Sequence, residues 1–495
     1  MNMLLRSIAF LALATTVQAQ QKDPAVAFDA YTAQAFKDWG AVGLAVAVVK
    51  DGKVVFAKGY GVRELGKPES VDTNTRFSIG STTKAMTSAA LGMLVDEGKV
   101  RWDDPVTKYL PWFQLYDPYV TREITVRDLL THRTGLGNAD MLWYQSDNTP
   151  EDVLRLIRYA RPAYSFRSGW IYQNVMYAAA GAVVTAASGM PWEEFIRTRI
   201  FVPLDMRGSV PTLAGTTGQP NVAAPHDKVK GTVRVIENAS VDQVNAAGSV
   251  WSSVADMSKW MRFMIDSGRV GGKALLKPAT WNELLTPGFV LPDGFYPSAQ
   301  LTNAKFHTYA LGWFQHDYAG RRLNYHTGSI DGMVAIIGII PEERFGVYVL
   351  GNLDHVEVRH ALLYKAIDTW LGTGTRDWST DLRAIYARIQ AEGDSAQVRM
   401  ERRRVKDTKP SLPLEQYAGT YVDSLYGKAV VTYENGALRL RTSSKQAGTM
   451  EHWQYDTFRV NWDAVWRGSP MVTFVLGADG KPAEVRMSGG VLRRR

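Results

Sequence analysis

The spacing of apolar and polar residues divides the chain into segments with different predicted structures. Residues 41–60 contain two apolar runs joined by Asp51-Gly52, a strong signal for a β-hairpin. Residues 81–97 carry alanine, methionine and leucine at helical spacing, which predicts a helix. Further helices are predicted at residues 150–159, 176–188 and 254–266, and further strands at 321–325, 334–340 and 347–350. Strands, then helices, then strands again indicate an α+β fold rather than alternating βαβ units.

The pattern changes towards the end of the chain. Residues 377–409 look helical and basic and are followed by prolines, which indicates a connector. From residue 414 onward, alternating apolar runs surround Asn435-Gly436 and Asp479-Gly480, two more hairpin signals. We therefore predict that the chain ends in an up-and-down antiparallel sheet or a small barrel.

Residues 1–19 have the layout of a secretory signal peptide. A single charge, Arg6, precedes a short apolar stretch, and Val17-Gln18-Ala19 forms a small-x-small cleavage pattern. The apolar stretch is too short for a transmembrane helix, so we expect no stable membrane insertion after cleavage. An exported chain without cysteine needs no disulfides, and we predict a secreted protein of the bacterial periplasm.

Composition narrows the possible functions. Apolar residues make up 45% of the 495 residues and charged residues 21%, as in ordinary globular proteins. The net charge of +8 is modest and no aromatic residues are interleaved with the basic stretch, so we do not expect nucleic-acid binding. The eight histidines show no tight ligand spacing, and we predict neither a metal nor a cofactor. Without cysteine, a side-chain nucleophile of the serine or cysteine type has to be a hydroxyl.

One serine stands where a nucleophile would be expected. Ser81 opens the predicted helix after an extended run closed by Gly80, where free backbone N–H groups and the helix dipole favour negative charge. Lys84 lies three residues later on the same helix face and can reach the serine oxygen. As an ammonium it would stabilise an alkoxide or phenolate, and as a neutral amine it could accept the proton. The alternative is an ordinary N-cap serine beside a surface lysine.

Two later segments supply matching chemistry. Tyr172 and Asn174 lie between a polar loop and an alanine-rich helix; a tyrosine can relay a proton, and an asparagine can hold a substrate amide. Residues 326–329 follow a predicted strand. There an edge strand could pair with an acyl substrate, and Ser329 could supply an N–H group to an oxyanion.

These three segments, in this order, resemble the Ser-x-x-Lys, Tyr-x-Asn and Lys/His-Thr-Gly motifs of serine β-lactamases and penicillin-binding proteins. The likeness spans about residues 25–372 and is greatest to the class C β-lactamase and D-alanyl-D-alanine carboxypeptidase branch. It implies an antiparallel sheet with flanking helices and an all-helical cluster. The β-rich tail resembles the lipocalin-like domain of some members. The expected domains are a signal peptide (1–19), a hydrolase domain (20–375), a basic helical connector (376–410) and the tail (411–495).

The resemblance also implies a reaction. Ser81 would form an acyl-enzyme, Lys84 and Tyr172 would share the role of base, and the substrate would be bound by Asn174, His326, Thr327, Gly328 and Ser329. Typical class C enzymes have lysine where this chain has His326, and the same exchange is known in peptidase members. This favours hydrolysis of small peptides, amides or substrates containing D-amino acids. The alternatives are a carboxylesterase or β-lactamase of the same family and a non-catalytic peptide- or penicillin-binding protein. The sequence does not specify an oligomeric state.

Overall fold

The computed structural model describes residues 23–292, 294–487 and 490–495, so the predicted signal peptide lies outside the described residues. The helices are α1 (Pro24–Asp38), α2 (Thr83–Asp96), α3 (Pro118–Glu123), α4 (Val126–Thr131), α5 (Pro150–Leu156), α6 (Asn174–Ser188), α7 (Trp192–Ile196), α8 (Asn245–Gly248), α9 (Val254–Ile265), α10 (Pro278–Leu284), α11 (Val358–Leu371) and α12 (Trp378–Arg402). The strands up to β14 are β1 (Gly43–Lys50), β2 (Lys53–Gly61), β3 (Phe77–Ser78), β4 (His226–Val229), β5 (Thr232–Val235), β6 (Trp251–Ser252), β7 (Arg269–Val270), β8 (Lys273–Ala274), β9 (Phe289–Val290), β10 (His307–Tyr309), β11 (Phe314–Tyr318), β12 (Arg321–Ile330), β13 (Met333–Ile340) and β14 (Phe345–Gly351). The remaining strands are β15 (Gly419–Asp423), β16 (Gly427–Glu434), β17 (Ala437–Arg441), β18 (Ala447–Gln454), β19 (Thr457–Trp462), β20 (Met471–Leu476), β21 (Pro482–Met487) and β22 (Gly490–Arg494).

An eight-stranded antiparallel sheet forms the centre of the larger unit, in the order β2-β1-β14-β13-β12-β11-β10-β9. The β1–β2 hairpin turns at Asp51-Gly52, where both residues have positive φ, as its tight turn requires. Strands β13 and β14 are buried along their whole length, because helices cover both faces of the sheet. This architecture confirms the predicted α+β class. Strand β12 continues to Ile330, beyond the predicted run of 321–325, because it pairs with β13 along this length.

The two faces of the sheet belong to different apolar cores. Along β1, Ala45, Ala47 and Val49 pack on one side and Leu44, Val46 and Val48 on the other. The first core contains α2 and the alanine-rich α6, which form the centre of a helical cluster. The second core contains α1, α11 and the first turns of α12. Small side chains on α2 and α6 allow their backbones to pack closely, and this holds the start of α2 against the sheet.

Strands β15 to β22 form a closed antiparallel barrel, in which β22 pairs back onto β15. Its hairpins include the predicted turns at Asn435-Gly436 and Asp479-Gly480, and its interior is filled by aromatic and aliphatic side chains. The barrel confirms the predicted antiparallel β domain. Helix α12 precedes it; the first turns of α12 are buried against the sheet and most of its later residues are exposed.

The barrel contacts the larger unit through the segment formed by residues 138–149, which we call the bridging loop. Ser443 Oγ donates a hydrogen bond to the Gln145 carbonyl at 2.6 Å. The Ser444 backbone N–H donates to Asp147 Oδ2 at 2.8 Å. Asp147 of this loop therefore takes part in the contact between the two units. Within the described ranges, no helix is both long and apolar enough to cross a membrane.

Candidate active site

Two glycines, Gly80 before the candidate nucleophile and Gly328 on β12, allow the turn that carries Ser81 to pack against β12. Ser81 lies in a 3₁₀ turn, Gly80–Thr82, at the head of α2, rather than within the α-helix that the sequence predicted. Gly80 has φ +51°, and a Cβ there would lie 2.7 Å from the Ser329 nitrogen. A Cβ at Gly328 would overlap the Ile79 carbonyl oxygen. Only glycine permits this approach, which brings the backbone N–H of Ser329 beside the turn that carries Ser81.

Lys84 is fully buried and hydrogen-bonds to three oxygens. Its Nζ lies 3.0 Å from Ser81 Oγ, 2.7 Å from Asn174 Oδ1 and 2.9 Å from the Ala247 carbonyl. An ammonium would donate to all three oxygens. A neutral amine would donate to the amide and carbonyl oxygens and would accept the Ser81 Oγ–H with its lone pair. The second arrangement is the one required for removal of the serine proton.

Burial sets the protonation preferences of Lys84 and Tyr172. It lowers the pKa of Lys84 well below its ordinary value, although the charge of Asp140 opposes the shift. It raises the pKa of Tyr172 well above 10, against a smaller opposing effect of the Ser81 hydroxyl. The lysine amine lies 4.7 Å from the centre of the Tyr172 ring. Both shifts favour the uncharged forms, a neutral amine and a protonated phenol.

Asn174 is oriented by a residue that the sequence motifs did not indicate. Its Nδ2 donates to Asp140 Oδ1 at 3.1 Å, which leaves its Oδ1 facing Lys84. The same Asp140 oxygen accepts a hydrogen bond from Trp143 Nε1 at 2.7 Å. Asp140 belongs to a short turn of the bridging loop, far from Asn174 in sequence, so no local pattern could have identified it.

His326 lies in a buried hydrogen-bonded chain rather than on the pocket surface. The Gln173 backbone N–H donates to His132 Nδ1 at 3.1 Å, so the proton of a neutral His132 is on Nε2 and is shared with Tyr309 Oη at 3.2 Å. The Tyr309 hydroxyl then donates to His326 Nε2 at 3.1 Å, and His326 Nδ1 donates to the Thr327 carbonyl. Burial lowers the pKa of His326 to about 3, and the charge of Lys84, when that residue is protonated, acts in the same direction. The ring is therefore neutral at pH 7.

A second residue outside the motifs, Arg359, supports β12 from behind. Its buried guanidinium donates from Nη1 to the Gly328 carbonyl at 2.6 Å and to Ser329 Oγ at 2.9 Å. Its other nitrogens form a two-pronged ion pair with Glu357 at 3.0 Å. Arg359 therefore fixes the Gly328 carbonyl and the Ser329 side chain, the two groups that flank the Ser329 backbone N–H.

A cavity of about 610 Å³ opens above the serine. Of the eight predicted site residues, Ser81, Tyr172, Asn174, Thr327 and Ser329 line it, whereas Lys84, His326 and Gly328 lie behind its wall. The remaining lining residues are Asp140, Trp143, Tyr144, Asp227, Phe295, Tyr296, Phe314, Ile330, Asp331, Asp354, His355 and Trp466. Trp466 comes from the barrel, so both structural units contribute to the pocket. Within the ranges that the structure covers, no cluster of His, Asp or Glu is arranged to hold a metal ion.

Known proteins with related sequences match both units. Residues 28–368 match the family model described as Beta-lactamase, and residues 403–492 match a domain of unknown function, DUF3471. The chain is 28% identical over 470 residues to the unguisins hydrolase of Aspergillus violaceofuscus, covering 87% of this chain and 82% of that protein. It is 25% identical over 324 residues to Protein flp of Staphylococcus aureus, covering 63% of this chain and 60% of that protein.

Solved structures show the same fold. The octameric penicillin-binding protein homologue from Pyrococcus abyssi superposes with a TM-score of 0.63 and 22% identity, covering 94% of this chain and 99% of that one. A D-stereospecific amidohydrolase from a Streptomyces species superposes with a TM-score of 0.56 and 23% identity, covering 70% and 99% respectively. The family model, which matches well over half of the sequence, confirms the expected family of the larger unit, and these solved structures confirm its fold. The likeness of the barrel to a lipocalin-like domain stays a prediction. The chain belongs to the beta-lactamase family.

Proposed function

We propose that the protein is a serine hydrolase that cleaves small peptides or amides, including D-amino-acid substrates, through an acyl-enzyme on Ser81. The observation that carries the proposal is the 3.0 Å contact between Ser81 Oγ and the buried amine of Lys84. The family match and the relative named as a hydrolase support hydrolysis in general. The structural likeness to a D-stereospecific amidohydrolase is one of fold, and it motivates the choice of substrates in the test.

In the proposed reaction, Lys84 takes the Ser81 proton as Oγ attacks the substrate carbonyl carbon. The carbonyl oxygen becomes negative and accepts hydrogen bonds from the backbone N–H groups of Ser81 and Ser329, each contributing about 3 kcal/mol. The proton passes from Lys84 through the Tyr172 hydroxyl to the leaving nitrogen as the C–N bond breaks. Water then attacks the serine ester, its proton returns along the same groups, and Ser81 is released with its hydroxyl restored.

The test is a substrate panel for the mature chain and its Ser81→Ala variant. It contains a chromogenic cephalosporin, a D-alanyl-D-alanine peptide, L- and D-aminoacyl anilides and a short-chain nitrophenyl ester. We expect turnover of peptide or anilide substrates and none by Ser81→Ala. Turnover of the ester alone would identify a carboxylesterase, and turnover of the cephalosporin alone a β-lactamase.

Covalent labelling distinguishes an enzyme from a binding protein. A fluorophosphonate probe is expected to label Ser81 and to leave Ser81→Ala unlabelled. The matched control is Ser88→Ala on the same helix, because the Ser88 hydroxyl is buried without a hydrogen-bond partner among the described residues. Absence of labelling in the folded wild-type chain would overturn the proposal in favour of a non-catalytic peptide- or penicillin-binding protein.

We also propose that the protein acts in the periplasm after removal of residues 1–19. The charge, apolar stretch and cleavage pattern of the amino terminus support export. Cell fractionation and amino-terminal sequencing test this directly: a mature protein that begins at Gln20 is expected. A cytoplasmic chain that retains Met1 would contradict export without affecting the proposed chemistry.

A further inference from the structure

Four aspartates line the catalytic cavity. Asp140, Asp227, Asp331 and Asp354 line the same cavity as Ser81, and they come from four separate segments of the chain. Among the residues that the structure describes, no lysine or arginine lines this cavity. The whole chain carries a net charge of +8, so the pocket is opposite in sign to the protein that surrounds it. The acidic lining is therefore a local feature and does not follow from the composition.

Most of this negative charge lacks a cationic partner. In the described part of the chain, Asp140, Asp227 and Asp331 form no ion pair, and of the four only Asp354 is paired, with the neighbouring His355. Asp331 accepts hydrogen bonds from the Tyr144 hydroxyl at 2.8 Å. Unpaired carboxylates in a partly buried site cost folding free energy, and such groups are typical of sites that bind a ligand.

The pKa values of two of these carboxyls agree with this charge distribution. Burial and the neighbouring Asp354 carboxylate raise the pKa of Asp227. Burial, with a smaller contribution from Asp354, raises the pKa of Asp331, although the Arg467 guanidinium opposes that shift. A cation bound between these carboxylates would relieve both the desolvation and the mutual repulsion.

Other groups in the cavity also fit a cationic organic ligand. Trp143 and Trp466 line it, and aromatic faces attract ammonium and guanidinium groups. The Tyr172 hydroxyl is buried, lines the same cavity and makes no hydrogen bond to a described residue, so its oxygen can accept one from a bound ligand. The side chains are not arranged as metal ligands in the described part of the chain, so a metal ion does not explain the carboxylates.

The His-Thr-Gly motif of residues 326–328 also lacks a fixed cation. His326 is neutral and lies behind the pocket wall, so it offers no positive charge to a substrate carboxylate. Asp331 follows Ser329 by two residues, just past the end of β12. The pairing of β12 with β11 ends at Tyr325, so the later part of β12 offers an edge to an extended substrate. A substrate paired along this strand would therefore meet a carboxylate at the end of the strand, in the same cavity as Ser81.

We infer that the pocket selects substrates that carry a positive charge near the scissile bond, as a free ammonium or a guanidinium group. This inference rests on the proposed function, because it assigns a substrate class to the same site. The carboxylates of Asp227, Asp331 and Asp354 hold the cation, and the indole of Trp466 covers it.

The test compares three anilides that differ only at the α-nitrogen: the free amine, the N-acetyl derivative and the N-succinyl derivative. For the wild-type chain we expect kcat/KM to fall in that order, with about a tenfold difference between the first two. Raising the salt concentration to about 0.5 M is expected to reduce the difference, because added ions screen the carboxylates. A preference for the acetyl or succinyl substrate would overturn the inference.

Variants separate pocket charge from the intrinsic reactivity of the substrates. Asp227→Asn and Asp331→Asn are each expected to lower the amine-to-acetyl ratio of kcat/KM by at least about threefold. The matched control is Asp51→Asn, because Asp51 lies in the β1–β2 turn, at the opposite end of the sheet from Ser329. Equal ratios in the wild type and both pocket variants would overturn the inference.

The two proposals can fail separately. The amine and acetyl compounds are also tested as protectants against fluorophosphonate labelling of Ser81, a readout that does not require turnover. Labelling without better protection by the amine would overturn the inference alone. Absence of labelling would overturn the proposed function, and the substrate class would be withdrawn with it.

Discussion

Lys84 Nζ lies 3.0 Å from Ser81 Oγ in a fully buried position. Because burial lowers the pKa of Lys84 well below 10.5, we expect kcat/KM to rise with pH as the amine loses its proton, well below that value. Burial raises the pKa of Tyr172, so the plateau is expected to extend beyond pH 10. Initial rates with a nitrophenyl ester, corrected for spontaneous hydrolysis, measure the profile. An acid limb near 10.5 would contradict a neutral Lys84.

Substitution of Asp140 tests whether the acid limb of the pH profile reports the titration of Lys84. Its negative charge raises the pKa of Lys84, so Asp140→Asn is expected to move the acid limb of the profile to lower pH. The asparagine oxygen can still accept the hydrogen bond from Trp143, which keeps the geometry close to that of the wild type. Asp51→Asn, which removes a distant charge, serves as the control. A limb that stays in place or moves to higher pH would show that another group is titrating.

Gly328 is expected to tolerate no side chain, because a Cβ would overlap the Ile79 carbonyl oxygen. Gly328→Ala should lower kcat about 100-fold by displacing the Ser329 N–H, and it should also lower the melting temperature. Gly393→Ala is the matched control: Gly393 lies in helix α12 with no atom near its Cβ direction, and alanine there should stabilise the helix by about 1 kcal/mol. Wild-type kcat in Gly328→Ala would contradict the proposed oxyanion site.

Arg359 positions β12 without contacting the cavity. Arg359→Lys keeps the positive charge beside Glu357 but loses the planar group that holds both Gly328 and Ser329. We expect kcat to fall about tenfold with little change in KM, because the affected N–H acts on the transition state. Steady-state kinetics measure the two constants, and the exposed Arg383→Lys on α12 is the control. A rise of about tenfold in KM with kcat unchanged would instead indicate that Arg359 acts in substrate binding.

Substitution of Trp466 tests whether the barrel contributes to substrate selectivity. Trp466→Ala is expected to lower kcat/KM for a free-amine anilide about fivefold more than for a nitrophenyl ester, since it removes an aromatic wall that covers the cation. The neighbouring Val465→Ala is the control, because Val465 is exposed and does not line the cavity. If both substrates respond equally to Trp466→Ala, the barrel does not contribute to selectivity.

The buried histidines predict a stability that decreases in acid. Burial lowers the pKa of His316 and His360 to about 4, and that of His326 to about 3. Unfolding returns each to about 6.5, so the unfolded chain binds more protons and stability falls as the pH drops below 6.5. Each histidine then contributes about 2 kcal/mol of destabilisation between pH 7 and 5. Melting temperatures across this range measure it, and His360→Gln should reduce the dependence. If the melting temperature of the wild type is the same at pH 7 and pH 5, the buried histidines do not destabilise the fold in acid.

Much of the fold could be predicted because its signals are local. The Asp51-Gly52 turn and the alanine-rich α6 are specified by neighbouring residues, and the structure contains both. The sequence pattern predicts an α-helix from Ser81 onward, but Ser81 lies in a 3₁₀ turn at the close approach to β12. That approach is a long-range contact, which periodicity cannot detect.

The candidate site could also be predicted only where its residues are close together in the sequence. The motifs identified Ser81 and Lys84 from a spacing of three residues, and the structure brings them into hydrogen-bond contact. Asp140 and Arg359 belong to no motif and reach the site only through the tertiary fold. The position of His326 behind the pocket wall depends on Tyr309 and His132, residues from two other segments, and so it could not be read from the motif.

The contribution of Trp466 to the pocket has a consequence for how such a protein diversifies. The groups proposed to break the substrate bond all lie on one unit, whereas part of the cavity wall lies on the other. Mutations in the barrel can therefore change which compounds enter while the serine and its base stay untouched. Part of the substrate range can then change through a region of the gene that does not encode the proposed nucleophile and base, so a lineage can acquire new substrates while those two residues stay the same.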